Sequence, residues 1–69
     1  MRLKVDLESD ALYFRISEDE IESSEEVKPG IIVDYTKSGN VAGVEVLNLK
    51  KQFSIKDLSN IKVDLPTRA

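Results

Sequence analysis

The chain reads as a small α+β domain: an antiparallel sheet of four to five strands, made from two hairpins, with a short C-terminal helix packed on it. Three observations predict this class. Residues 2–16 hold two short runs in which apolar and polar side chains alternate. Residues 29–47 hold two β-branched runs about a tight Gly-Asn turn, and residues 53–61 switch to helical spacing behind a capping signal.

In the first run Leu3, Val5 and Leu7 alternate with Arg2, Lys4 and Asp6, the period of a half-buried strand. After the polar link Glu8-Ser9-Asp10, Leu12, Phe14 and Ile16 share one face and Tyr13 and Arg15 the other. Two such runs with a short link predict a hairpin. Residues 17–26 are the most acidic part of the chain and carry Ile21 as their one sizeable apolar residue. They predict a loop or a short edge strand whose like charges discourage edge-to-edge association. Pro29 stops helix propagation and Gly30 supplies a bend.

The second hairpin is the firmest element. Ile31, Val33 and Tyr35 fall on one face, with Ile32 and Asp34 opposite; after Lys37-Ser38-Gly39-Asn40 the returning strand puts Ala42, Val44 and Val46 on one face and Val41, Gly43, Glu45 and Leu47 on the other. Gly39 and Asn40 tolerate the positive φ that a short hairpin loop requires. In the tail, Ser54 and Asp57 form a capping-box pattern, Phe53 and Leu58 stand at staple positions, and Ile55, Leu58 and Ile61 recur at helical spacing. A helix over 54–61 is too short to stand alone and must lie on the sheet. Residues 62–65 alternate and predict one more short strand before Pro66.

Sixty-nine residues make one domain. A chain of this size buries only roughly 60% of its unfolded surface, so one core is marginal. With no Cys and no His, disulfides and thiolate or imidazole metal sites are excluded as staples. The same absence removes Ser-His and Cys-His nucleophilic pairs, and the three glycines are too scattered for a phosphate loop. No catalytic residues and no cofactor are expected. Twenty Leu, Ile and Val residues remain. They predict either a compact regular core or, the reading favoured here, a subunit that completes its core across a homodimer interface.

Charge precedes any apolar run at the start and no stretch nears the ~20 apolar residues of a membrane span, so a cytoplasmic protein without membrane contact is expected. Residues 1–48 carry eleven acids and five bases, a net of −6, and residues 49–69 carry five bases and two acids, a net of +3. An acidic body argues against nucleic acid as a partner, because phosphate binding needs clustered Lys and Arg. It permits attraction between the two ends, within one chain or between two.

The sequence also resembles a known family. Asp6, Glu8, Asp10, Ala11, Leu12, Tyr13, Phe14, Arg15 and Ser17 carry the first half of the likeness. Glu25-Glu26-Val27, Pro29-Gly30-Ile31-Ile32, Asp34-Tyr35 and Gly39-Asn40-Val41, with Gly43 to Leu47, carry the second. They are similar to the small prokaryotic proteins called domain of unknown function 2283. The resemblance covers residues 1–48 as a β core and leaves 49–69 as a helical extension. It implies no catalytic residues. It implies a partner or accessory role, sometimes beside other short proteins in toxin–antitoxin-like pairs, and this by association alone.

Three constellations merit attention. Asp6, Glu8 and Asp10 alternate in a loop, where carboxylates can chelate a hard cation such as Ca²⁺ or Mg²⁺; the same residues also make an ordinary polar turn. Ala11 and Ser17 stand where an EF-hand loop needs Gly and Glu, which favours the turn. Glu22, Glu25 and Glu26, within the acidic run, form either a partner surface for a basic protein or a solvated, solubilising segment. Tyr13 and Arg15 meet Asp34 and Glu45 on the outer face if the hairpins are neighbours, as a ligand anchor or as a cross-strand ion pair worth ~0.2–1 kcal/mol. Ile32, Val41 and Leu47 are expected on that mixed face, which the helix covers or which serves as an interface. The function expected is a protein-interaction or accessory module, in one version an antitoxin-like inhibitor, binding itself or another protein. The alternative is a small-ligand or divalent-cation binder through Asp6, Glu8 and Asp10.

Overall fold

The structure, a computed structural model, describes residues 1–67. Five strands, β1 (Arg2–Asp6), β2 (Ala11–Arg15), β3 (Ile21–Lys28), β4 (Ile31–Thr36) and β5 (Val41–Leu47), precede two single-turn helices, α1 (Leu49–Gln52) and α2 (Ile55–Leu58). All neighbouring strands run antiparallel, in the order β1-β2-β5-β4-β3. The predicted α+β class, with its antiparallel sheet and short C-terminal helices, is the observed one.

Both predicted hairpins form, β1–β2 and β4–β5, and a third joins β3 to β4 through Pro29-Gly30. Gly30 adopts φ 84°, the conformation a turn with Pro before it requires. The acidic run is thus largely an eight-residue edge strand, longer than expected, with bulges at both ends of its pairing. Strands β3, β4 and β5 form a meander and β2 returns beside β5, a Greek key. The link from β2 to β3 must cross β5 and β4. Three strand spacings are about 14 Å, and six Cα steps reach about 20 Å, so residues 16–20 make the crossing with room for the bend at Asp19.

Register sorts the side chains. Leu3 faces Phe14, Val5 faces Leu12, Leu12 and Ile31 flank Val46, and Phe14 and Val33 flank Val44. These residues make one wholly apolar face. The other carries Lys4, Tyr13, Arg15, Gly43, Glu45, Ile32 and Asp34. One expectation fails here. A bulge between Asp34 and Tyr35 brings Val41, not Ala42, opposite Tyr35, so Val41 stands on the side of Val33 and leaves the mixed face to Ile32 and Leu47.

The tail also departs from the expectation. The Ser54–Asp57 capping box is present, but α2 is one turn long, α1 precedes it, and residues 62–65 form no strand. Asn48, in the left-handed region, turns the chain out of β5 into α1. Leu49 on α1 is fully buried. Its backbone N–H donates to the Asp10 carbonyl (3.1 Å), and the Lys50 N–H donates to Asp10 Oδ1 (3.0 Å). Asp10 itself has φ 56°, a conformation that Asp tolerates better than Ala. It therefore caps a helix forty residues away, across the end of the sheet.

Among the described residues only Ala42 and Leu49 are buried apolar residues; Asp34 and Thr36 are buried polar ones. The shape matches: 37 × 37 × 19 Å, with a radius of gyration of 13.5 Å, against about 11 Å for a compact domain of this length. Asp10→Gly, which keeps the backbone conformation and removes the cap, is expected to destabilise the fold by about 1 kcal/mol in urea unfolding. Asp10→Ala is expected to cost about 1–2 kcal/mol more, for the left-handed backbone.

Candidate functional site

The polar face is organised by Tyr13. Its side chain crosses β5 above Gly43, where a Cβ would lie 2.9 Å from the Tyr13 hydroxyl and 3.0 Å from the Phe14 carbonyl oxygen. Glycine in the middle of a β-branched strand thus opens a path for an aromatic ring. The Tyr13 hydroxyl donates to Asp34 Oδ2 on β4 (3.0 Å), and Ser24 Oγ on β3 donates to Asp34 Oδ1 (2.5 Å). Both carboxylate oxygens of the buried Asp34 are therefore satisfied.

Arg15 completes the chain. Its Nη1 donates to the Tyr13 hydroxyl (3.3 Å), Nη2 to the Asp19 carbonyl (2.7 Å), and Nε to the Ser17 carbonyl. The Tyr13 hydroxyl, accepting from it, raises the guanidinium pKa further. Ile16 and Ser17 both donate backbone N–H bonds to the Ala42 carbonyl (2.8 and 3.1 Å). Arg15 is thus the clamp on the crossover. Arg15, Tyr13, Asp34 and Ser24 link β2, β4 and β3 across the width of β5 and consume one another's polar groups. Glu45 stands opposite Tyr13 and Ile32 without joining this chain.

The structure separates Asp6, Glu8 and Asp10. Asp6 Oδ1 accepts the backbone N–H of Glu8 and of Ser9 (both 3.1 Å), and Oδ2 accepts the Ser9 hydroxyl (3.1 Å). These bonds, led by the Ser9 N–H, hold the Asp6 carboxyl below its ordinary pKa. Asp10 is committed to α1. Among the described residues no group of three or more metal-ligating side chains comes together. Glu22, Glu25 and Glu26 share the β3 edge but not one face: Glu25 stands opposite Val33 on the apolar side, Glu26 opposite Ile32 on the polar side, and Glu22 in a bulge. A charge pointing to the apolar side is a known protection for an edge strand.

What the structure leaves open is the apolar face itself. Leu3 is 44% exposed, and Val5, Leu12, Phe14, Val33, Val44 and Val46 are all only half-buried. Helix α2 reaches one corner, where Leu12, Phe53, Leu58 and Ile61 line an open groove of about 480 Å³. Tail residues Ile61, Val63 and Leu65 add exposed apolar surface. The sequence pointed to the mixed face as one that the helix covers or that serves as an interface; the face that the short helices leave partly open is the apolar one. The overlooked signal is the number of strands with an apolar side against one short helix to cover them.

Tyr13→Phe is expected to destabilise the fold by about 1–3 kcal/mol, because Asp34 keeps its burial and loses a donor. Gly43→Ala is expected to cost about 1–3 kcal/mol by crowding. Together they should cost less than the sum, since the Ala Cβ no longer meets a hydroxyl. Urea unfolding of the double-mutant cycle reads this directly.

The family profile described as Protein of unknown function (DUF2283) matches residues 2–50, from β1 into the first turn of the tail. No curated protein and no solved structure matches the chain. The match spans all five strands and most of the sequence, and the chain belongs to the DUF2283 family.

Proposed function

We propose that this chain is a non-catalytic, cytoplasmic protein-interaction module whose working surface is the apolar face of the sheet. The observation that carries this is the partial exposure of every large side chain on that face, while the polar face buries its carboxylate and closes its own hydrogen bonds. Apolar surface in one contiguous, rimmed patch marks an interaction site. A site for small-molecule chemistry would show free polar groups converging in a cleft. Here Tyr13, Arg15 and Asp34 are spent on each other and on the crossover. Among the described residues no helix is long and apolar enough to cross a membrane, and the absence of cysteine suits a reducing compartment.

The acidic edge supports one elaboration, an inhibitor that holds a small basic protein in the manner of an antitoxin. Glu22, Glu25 and Glu26 have no ion-pair partner among the described residues, whose one such pair is Arg2–Glu18 at 3.1 Å. Exposed charges of this kind steer and select partners more than they add affinity.

Affinity capture of the tagged chain from its own cells, beside Val33→Lys, tests the reading. The new Lys stands opposite Glu25, so the monomer tolerates it. Wild type is expected to retain a stoichiometric polypeptide, the untagged chain included, that Val33→Lys loses with its circular dichroism unchanged. Bait alone, or the same binder with both, overturns the reading. Reversal of Glu22, Glu25 and Glu26 is expected to release a basic partner; an unaffected complex removes the edge from the account.

A further inference from the structure

We infer that the apolar face is covered by a second copy of this chain, two sheets packing face to face about a two-fold axis that runs along β5. This rests on the reading above that the face is an interaction surface, and it names the occupant.

Area is the first argument. The chain exposes 5607 Å², whereas a compact monomer of 7.8 kDa exposes about 4,400 Å². The excess is about 1,200 Å², to which the partly exposed side chains of the apolar face contribute. If each of two copies buries that excess, the interface totals about 2,400 Å², within the range of obligate homodimers. Two sheets so packed stand about 10 Å apart and supply the second layer that one copy lacks.

Topology and charge are the second argument. Strand β5 is the middle of the order β1-β2-β5-β4-β3. A two-fold axis along it sets Val44 and Val46 of the two copies against each other, and sets β1 and β2 of one copy over β3 and β4 of the other. The C-terminal segment lies beside Leu12 on β2. The same operation brings the C-terminal segment over the half of the partner's sheet that holds β4 and β3, so the basic end of one copy faces the acidic body of the other. The chain holds both halves of this complementarity, a net −6 in residues 1–48 and +3 in residues 49–69. A two-fold contact of this kind closes on itself, while the charged β3 edge opposes open-ended growth through strand pairing.

The chain has no cysteine, so one introduced thiol reports a single position. Sedimentation equilibrium of the full chain at micromolar concentration is expected to give twice 7.8 kDa. Val44→Cys, a small change at the proposed axis, is expected to cross-link to its own copy with a short bis-maleimide, and Lys4→Cys on the polar face is not. A dimer in which Lys4→Cys cross-links, or Val44→Cys does not, overturns face-to-face packing. A monomer overturns the second copy altogether, and maleimide labelling of Val44→Cys then separates the two claims. Protection in cell extract by a stoichiometric different protein, with free labelling when pure, keeps the interaction module and removes the dimer. Equal labelling in both, or protection in the pure monomer by its own tail, removes both.

Discussion

A single sheet has two faces, and only one of them can be wetted without cost. Every large apolar side chain of β1, β2, β4 and β5 that alternates inward here points to the same side, and among the described residues no full second layer lies over it. At roughly 25 cal/mol per Å² of apolar surface removed from water, a patch of this size is the largest favourable term still outstanding. That constraint explains the flat shape, the scarcity of buried apolar residues, and the position of α2 at one corner of the face. It also explains why the acidic strand lies at the edge, where charge keeps an incomplete layer from recruiting strands indiscriminately.

The polar face solves a different problem. A Greek key needs a link that passes over two strands, and a short link needs anchors. Arg15 supplies them by donating to the carbonyls of Ser17 and Asp19, and Tyr13 ties Arg15 to Asp34 through the gap at Gly43. These residues lie at the heart of the family match, where a catalytic reading would also look. Their bonding, toward one another and the crossover, ties β2, β4 and the link to β3 together. Asp6 and Asp10 bond locally as well, one closing a turn and the other capping a helix.

Much of the fold was legible because its signals are local. Alternation in residues 2–16 and the Gly39-Asn40 turn specify two hairpins within a few residues, and the Ser54–Asp57 capping box appears where the spacing placed it. Non-local choices were not legible. Nothing in β2 announces that it pairs with β5, and β3 reads only as a loop or a short edge strand because an edge strand whose side chains are mostly solvated needs no apolar alternation. One bulged residue, Ala42, was enough to send Val41 to the other face. In the site, Tyr13, Arg15 and Asp34 came together, Glu45 stayed apart, and Ser24 was missed because the register of the acidic edge against β4 was not legible. Gly43 carried a readable signal, a lone glycine inside a β-branched run.

If the apolar face is completed by another copy, association stabilises the folded chain, and stability depends on chain concentration. Thermal unfolding followed by circular dichroism over a hundredfold range of concentration measures this without any mutation or partner. A midpoint that climbs steadily with concentration is the result the account predicts. A midpoint that stays fixed across the range would contradict it, and would mean that one sheet and its short helices are stable alone.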